Sequence, residues 1–312
     1  MAEGDTKQLR CFVTGATGFI GSRVVRRLLE AGHDVTVLSR ELPRGLALGL
    51  PADRVIVGDL FTIGKMRDAI ARCDVVFHLA AEIATQKDER KLWKVDVEGT
   101  DAVAEAAERS KIQRFVFAST VVVGDPDGAV LRPEEPLVAT TAYGKAKQEA
   151  ERRLLKTDLP AVILRPSHVY GPGGWFAEIV SEFARGRRFY PGRGDNWWDV
   201  VHVDDVVSAL LLLGEKGVPR EAYHVVDDSP IRMRDFFEIT AHALGGRKPR
   251  SVPVFLAKLL RGSGPVDSAI RSARSDNAKL KALGWRPRFP DSKDAIHEVV
   301  KELTRAKNGA RV

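Results

Sequence analysis

Ser119, Tyr143 and Lys147 are the residues of this chain whose types and spacing could move a proton. Tyr143 and Lys147 are four apart, which on a helix places them on one face, one turn from each other. A phenol of ordinary pKa, about 10, is a poor base near neutrality. An ammonium group beside it favours the phenolate. Ser119 ends the apolar run Arg114-Phe115-Val116-Phe117-Ala118 and precedes Tyr143 by twenty-four residues. Its hydroxyl can therefore hold a substrate oxygen against the phenol. That is equipment for general acid–base catalysis on an alcohol or ketone. Alone, Tyr-x-x-x-Lys is a common feature of amphipathic helices; its weight comes from what precedes it.

What precedes it is a glycine turn, Thr14-Gly15-Ala16-Thr17-Gly18-Phe19-Ile20-Gly21. Leu9–Thr14 reads as a buried strand and Phe19–Ala31 as a helix, with Gly32 where a helix C-cap falls. Gly15 and Gly18 are expected to let the backbone approach a ligand, and Gly21 to let the helix pack tightly on the strand. Free N–H groups at the helix start then face an anion, as a dinucleotide pyrophosphate requires. The spacing is G-x-x-G-x-x-G and not G-x-G-x-x-G. With a bound nicotinamide dinucleotide, Ser119, Tyr143 and Lys147 would transfer the proton that accompanies a hydride, and Lys147 would also hold the nicotinamide ribose.

The second strand, His33–Arg40, ends in Ser39 and Arg40 with Arg44 close behind. NAD-preferring sites carry an acid there for the ribose hydroxyls. A hydroxyl and a guanidinium suit a 2′-phosphate better, so NADP is the expected cofactor, with NAD possible.

The elements that must position these residues alternate. Strands at 54–59, 74–79, 114–119 and 161–165 are separated by helices at 63–72, 89–110 and 142–156. The strands are nearly continuous apolar runs, as in a sheet covered on both faces. The pattern predicts an α/β fold, a Rossmann-type doubly wound parallel sheet. Ligands bind at the carboxyl ends of such strands, where Gly15, Asp59, His78–Ala81 and Ser119 fall. After Pro166 the pattern loosens into Pro- and Gly-rich turns and short helices. The expected division is a dinucleotide-binding domain over 8–165, with 199–228 returning to it. A smaller, mostly helical substrate lobe is expected over 166–198 and 229–312.

The chain has 312 residues, 44% hydrophobic and 29% charged, enough for a large core. Cys11 and Cys73 lie in or beside apolar strands and read as reduced, buried thiols of a cytoplasmic protein, with no metal site. No apolar run is long enough for membrane insertion. The net charge of +7 is scattered, apart from Arg185-Gly186-Arg187-Arg188, which argues against nucleic-acid binding.

These segments resemble the extended short-chain dehydrogenase/reductases, the NAD-dependent epimerase/dehydratase superfamily, over nearly the whole chain. Further matches are Gly58-Asp59-Leu60, His78-Leu79-Ala80-Ala81, Leu164-Arg165-Pro166, Val169-Tyr170-Gly171-Pro172, Val201–Asp205, Asp276–Lys279 and Leu283-Gly284-Trp285. The resemblance implies Ser119, Tyr143 and Lys147 as catalytic residues. It implies a cofactor held by Gly15, Thr17, Gly18, Phe19, Ile20, Gly21, Ser39, Arg40, Asp59, Leu60, Leu79, Ala80, Ala81, Lys147, Pro166 and His168. Glu82, Ser119, Val121, His168, Trp175 and Trp198 would face the substrate.

Four departures bear on function. Asp96 stands where the family usually has asparagine, and Val123 replaces a common tyrosine. His168 and Trp198 occupy places where nucleotide-sugar enzymes carry an asparagine and an arginine for the diphosphate. An indole cannot replace a charge-assisted phosphate contact. The second half, including Asp227–Met233, is similar to the 3β-hydroxysteroid dehydrogenase and dihydroflavonol reductase branch. The expected activity is therefore interconversion of hydroxyl and ketone on a hydrophobic, steroid-like or aryl small molecule. The alternatives are a nucleotide-sugar epimerase or dehydratase with tightly held NAD, and a non-catalytic dinucleotide sensor. A homodimer is expected from the small residues around Ala102–Ala107 and on the Tyr143 helix, since relatives commonly pair these two helices.

Overall fold

A computed structural model describes residues 8–83, 86, 88–124 and 129–309. Seven strands form one sheet: β1 (Arg10–Thr14), β2 (Asp34–Ser39), β3 (Val55–Val57), β4 (Val75–His78), β5 (Arg114–Ala118), β6 (Ala161–Pro166) and β7 (Ala222–Val225). Their spatial order is β7-β6-β5-β4-β1-β2-β3, and every pairing is parallel. This is the expected doubly wound sheet. Its order reverses between β1 and β4, the crevice where such folds bind ligands.

Helices cover both faces because the strands alternate apolar side chains to both. Cys11 and Val13 face one way, with α1 (Gly21–Glu30) packed over them, and Phe12 faces the other, over α2 (Ile63–Ile70). On the Phe12 face lie also α3 (Gly99–Ala107) and α4 (Ala142–Leu154). Ala102, Ala104, Ala106 and Ala107 of α3 are buried within this one chain. Their smallness serves packing inside the chain. Cys11 and Cys73 are free and buried, and burial pushes both thiols up to about 12.

The second half adds α5 (Gly174–Ala184), α6 (Val203–Lys216), α7 (Met233–Ala243), α8 (Val254–Arg261) and α9 (Ser292–Gly309). Of these, α6 packs on the α1 face of the sheet, while the short strand Val200–His202 pairs with His168–Tyr170. Tyr170, Phe176, Phe183, Trp198 and Phe236 form the core of a separate lobe. Most of the aromatic residues beyond Pro166 are used in that core.

The helices α2 and α4 end two residues early, at Ile70 and Leu154, and two others depart further from their expected bounds. The first begins at Gly21 because Thr17–Ile20 are taken up in turns, with the Gly18 N–H on Gly15 O (3.0 Å) and the Ser22 N–H on Gly18 O (3.0 Å). The helix expected over 89–110 is interrupted. It runs as Glu89–Leu92, passes through a π-helical stretch at Trp93–Glu98, and resumes as α3. The widened turn carries Asp96 into the interior, and such insertions often mark functional sites.

Candidate active site

Thr141 starts α4 by accepting the Gly144 N–H on its side-chain oxygen at 3.0 Å. A Cβ on Gly144 would come within 2.7 Å of Val122 O. The helix carrying Tyr143 and Lys147 can thus lie directly on the turn Val121–Val123 that follows Ser119. The serine itself ends β5, with its N–H on Leu164 O at 2.7 Å. One turn beyond Lys147, the buried Glu151 receives two bonds from Arg165, at 2.7 and 3.0 Å. That pair fastens α4 to β6.

The Lys147 ammonium is 1% exposed, lies 4.2 Å from the centre of the Phe117 ring, and has no hydrogen-bond partner. Its nearest opposite charge is Asp96, 3.9 Å away and fully buried. Ser119 Oγ is also buried and unpartnered. Two polar groups left unmatched inside a protein cost stability unless water or a ligand meets them. Burial lowers the pKa of Lys147, against the attraction of Asp96 and then Glu151. Burial and then the charge of Asp96 raise that of Tyr143. Asp96 itself is pushed up to about 6 by burial, opposed by Lys147 and by the Glu82 N–H on Oδ1 at 3.2 Å.

A chain of hydrogen bonds behind this group was not anticipated. Thr14 Oγ1 lies 2.7 Å from His78 Nδ1, and His78 Nε2 lies 3.0 Å from Thr100 Oγ1. The Thr100 hydroxyl donates to Asp96 O at 2.7 Å, and the Ala80 N–H donates to Thr14 Oγ1 at 3.3 Å. Burial, with Lys147 adding to it, lowers His78 to about 3, so the ring is neutral. Thr100 has committed its proton and accepts from Nε2–H, which leaves Nδ1 to accept from Thr14. The directions run consistently from Thr14 on β1 through His78 on β4 and Thr100 to the π-helical turn, so the network holds the backbone carbonyl of Asp96. His78 at a strand end was the available sequence signal; its partners lie 64 and 22 residues away.

The glycine turn leads into α1, whose first turn carries no acidic residue to oppose an anion. Gly15 has φ +68°, and a Cβ there would sit 2.6 Å from Ala80 N and 2.7 Å from Leu79 C. Its nakedness admits the chain just beyond the neighbouring strand end. At Gly21 a Cβ would collide with Gly15 O and Ala16 Cα, so the glycine lets α1 close onto the turn just beyond the strand on which it was expected to pack. Phe19 is gripped by Arg23, which donates to Phe19 O and to Pro172 O at 2.8 Å each and covers the ring at 4.7 Å. The turn is thereby tied to the lobe.

At the end of β2, Ser39 is buried and its hydroxyl donates to Glu41 O at 2.7 Å, while Arg40 and Arg44 are exposed. Asp59 Oδ1 accepts from the Phe61 N–H (3.0 Å) and from Thr62 Oγ1 (3.2 Å), and Leu60 is buried. Leu79 and Ala80 are half-buried, Ala81 is exposed and Pro166 is buried.

On the expected substrate side, His168 Nδ1 lies 3.1 Å from Asp199 O and the ring stacks on Trp198 at 4.8 Å. Burial lowers His168 to about 4. Trp198, read from the sequence as a pocket residue, is 3% exposed with Nε1 donating to Ala269 O at 2.8 Å. It backs His168 as part of the lobe core and has no open face. Val121 is likewise buried. Trp175 is partly buried, with Nε1 on Val169 O at 2.8 Å. Glu82 is half-buried, and its carboxylate pairs with Lys91 at 3.0 Å.

The family model described as NAD dependent epimerase/dehydratase family matches residues 11–226. A "3-diazoavenalumate denitrifying reductase" of Streptomyces sp is 31% identical over 92% of this chain and 99% of its own length. A "4-hydroxy-2-methyl-3-oxo-4-farnesyl-3,4-dihydroquinoline-1-oxide ketoreductase" of Stigmatella aurantiaca is 26% identical over 97% of this chain and 90% of its own. Among solved structures, MoeE5 in complex with UDP-glucose and NAD superposes with a TM-score of 0.78. It is 27% identical, over 96% of this chain and 99% of the other.

Proposed function

Since the chain belongs to the NAD-dependent epimerase/dehydratase family and is an NAD(P)-dependent oxidoreductase of the extended short-chain type, we propose that it reduces a ketone on a hydrophobic small molecule, with NADPH as the preferred cofactor. The observation that carries this reading is the pair of buried, unpartnered polar groups, Ser119 Oγ and Lys147 Nζ, on elements that converge around Tyr143. They fit a nicotinamide ribose and a reacting oxygen.

The dinucleotide supplies the hydride when bound. Its pyrophosphate would lie at the turn Thr17–Ile20 and its ribose hydroxyls on Lys147, giving the ammonium the partners it lacks. Ser119 holds the substrate oxygen by donating its hydroxyl proton in a hydrogen bond. Tyr143 gives up its phenolic proton to that oxygen as negative charge develops there. Lys147 stabilises the phenolate that remains. Arg40, exposed beyond β2, would meet a 2′-phosphate.

At His168 and Trp198 the substrate side suits an apolar molecule, while Arg271 lies close enough to His168 to lower its pKa. His168 is neutral above about pH 4 and stacked on a core tryptophan, so neither side chain offers a fixed positive charge to a diphosphate. The ketoreductase named above acts, by its name, on a farnesylated ketone. MoeE5 favours the rival reading, a nucleotide-sugar enzyme. The two are separated by measuring NADPH consumption with aryl and steroid ketones and calorimetric binding of UDP-glucose. Net NADPH oxidation with a ketone and no UDP-glucose binding is expected. Micromolar UDP-glucose binding with an epimerised or dehydrated product would replace this reading.

A further inference from the structure

Outside the site, the helix α8 buries only Ala257 among its eight residues. Phe255 is 75% exposed, Leu259 80% and Leu260 62%, with Leu256 beside them at 37%. Positions 255, 256, 259 and 260 share one helical face, so these side chains form a single patch. An apolar cluster of this size left in water marks a contact surface.

The rim of the patch is basic. Arg261, at the end of α8, lies 5.7 Å from the Phe189 ring. Phe189 opens a short strand that pairs with Arg250–Val252, with Arg250 opposite Phe189 and the Arg250 N–H on Arg188 O at 3.0 Å. The loop at Gly246 packs against the Arg188 guanidinium: a Cβ there would lie 2.6 Å from its Cζ. Arg250, in the second strand, and the segments carrying Arg185, Arg187 and Arg247 are thus joined to α8 through this small sheet. All four arginines are exposed, and no ion pair is formed by them among the described residues. Lys258 and Arg261 are already paired, with Asp267 and Glu182.

We propose that α8 and the arginines beside it are a docking surface for an anionic lipid bilayer, with α8 lying in the interface and the guanidiniums on the headgroups. The composition selects this occupant. A second copy of the chain, itself of net charge +7, would bring like overall charge to these arginines. A nucleic acid would satisfy the arginines and leave the leucines in water. A bilayer of anionic lipid takes both at once, as amphipathic surface helices with basic polar flanks do. Contact is peripheral: no described helix is long and apolar enough to cross a membrane. The proposal is independent of the reaction assigned above.

Co-sedimentation of the full chain with vesicles of phosphatidylcholine alone, and of phosphatidylcholine with phosphatidylglycerol, tests it. Binding is expected to the anionic vesicles only, falling as salt rises. The variant Phe255→Ser/Leu259→Ser changes two exposed side chains and should weaken binding about tenfold or more, with thermal unfolding unchanged. Arg187→Glu/Arg250→Glu should also weaken it, and more so at low salt. Equal binding by wild type and the apolar variant, or no binding to either vesicle, overturns the proposal. So does light scattering that shows a dimer lost in the apolar variant, which would assign the patch to a second copy.

Discussion

Replacing Asp96 by asparagine should move the pH profile of the reaction downward on its basic side. The substitution is close to isosteric, and an amide oxygen can still accept the Glu82 N–H that Oδ1 now holds. What it removes is a negative charge 3.9 Å from the Lys147 ammonium. At an effective dielectric constant of about 20, two unit charges that far apart attract by about 4 kcal/mol, and losing that attraction lowers the pKa of Lys147 further than burial already does. The sign for Tyr143 is the same, because Asp96 opposes formation of the phenolate. Both groups therefore lose their protons at lower pH in Asp96→Asn, and ketone reduction, which needs both protonated, fails at lower pH. The acidic side should change as well. In the wild type, Asp96 takes up a proton near pH 6 and ceases to balance Lys147, a transition the asparagine variant lacks. Stability follows the same carboxyl with the opposite sense from an exposed acid. Its folded value lies above the ordinary 3.8, so its stabilising contribution is full below about pH 4 and is lost as pH rises through 6. The assays are rate against pH with saturating cofactor, and near-ultraviolet titration of the phenolate in the cofactor-free protein, with Tyr143→Phe as the blank. Superimposable rate profiles and phenolate titrations for wild type and Asp96→Asn would refute the reasoning.

Tyr143→Phe should lower turnover by about two to four orders of magnitude while leaving cofactor affinity nearly unchanged; a variant keeping a tenth of wild-type activity would remove the phenol from the mechanism. Arg40→Ala, at an exposed position, should weaken NADP about tenfold and leave NAD unaffected. Equal losses for both cofactors would mean that Arg40 does not meet the 2′-phosphate. Arg40 is the better probe, because the Ser39 hydroxyl already donates to Glu41 O.

The sheet was legible because its strands are nearly unbroken apolar runs separated by helical stretches, a pattern with few solutions. The spacing of Tyr143 and Lys147 carried over for a similar reason: four residues within one helix fix a shared face whatever the tertiary context. The glycine turn was legible in position but only partly in cause. Gly21 lets α1 close onto Gly15 O, just beyond the strand on which it was expected to pack, and what crowds Gly15 is the backbone of Leu79 and Ala80, more than sixty residues on in sequence. Local periodicity contains no information about which strand end will lie beside a turn.

The same limit explains Asp96 and Trp198, which the sequence marked as departures without saying what they do. Each acts through a neighbour brought to it by the fold. Asp96 reaches Lys147 because the π-helical turn adds a residue to the winding at Trp93–Glu98, and the Thr100 hydroxyl, held through His78 and Thr14, donates to the turn's carbonyl at Asp96. Trp198 reaches the site only as the surface on which His168 stacks. A charge and an indole placed one layer behind the reacting groups leave the identity of the chemistry intact while changing its conditions. Burial first and then Asp96 govern the pH at which Lys147 and Tyr143 hold their protons, and the neutrality of the His168 wall follows from its burial. Substitutions at these two positions should therefore alter when the site works and what it admits before they alter what reaction it performs.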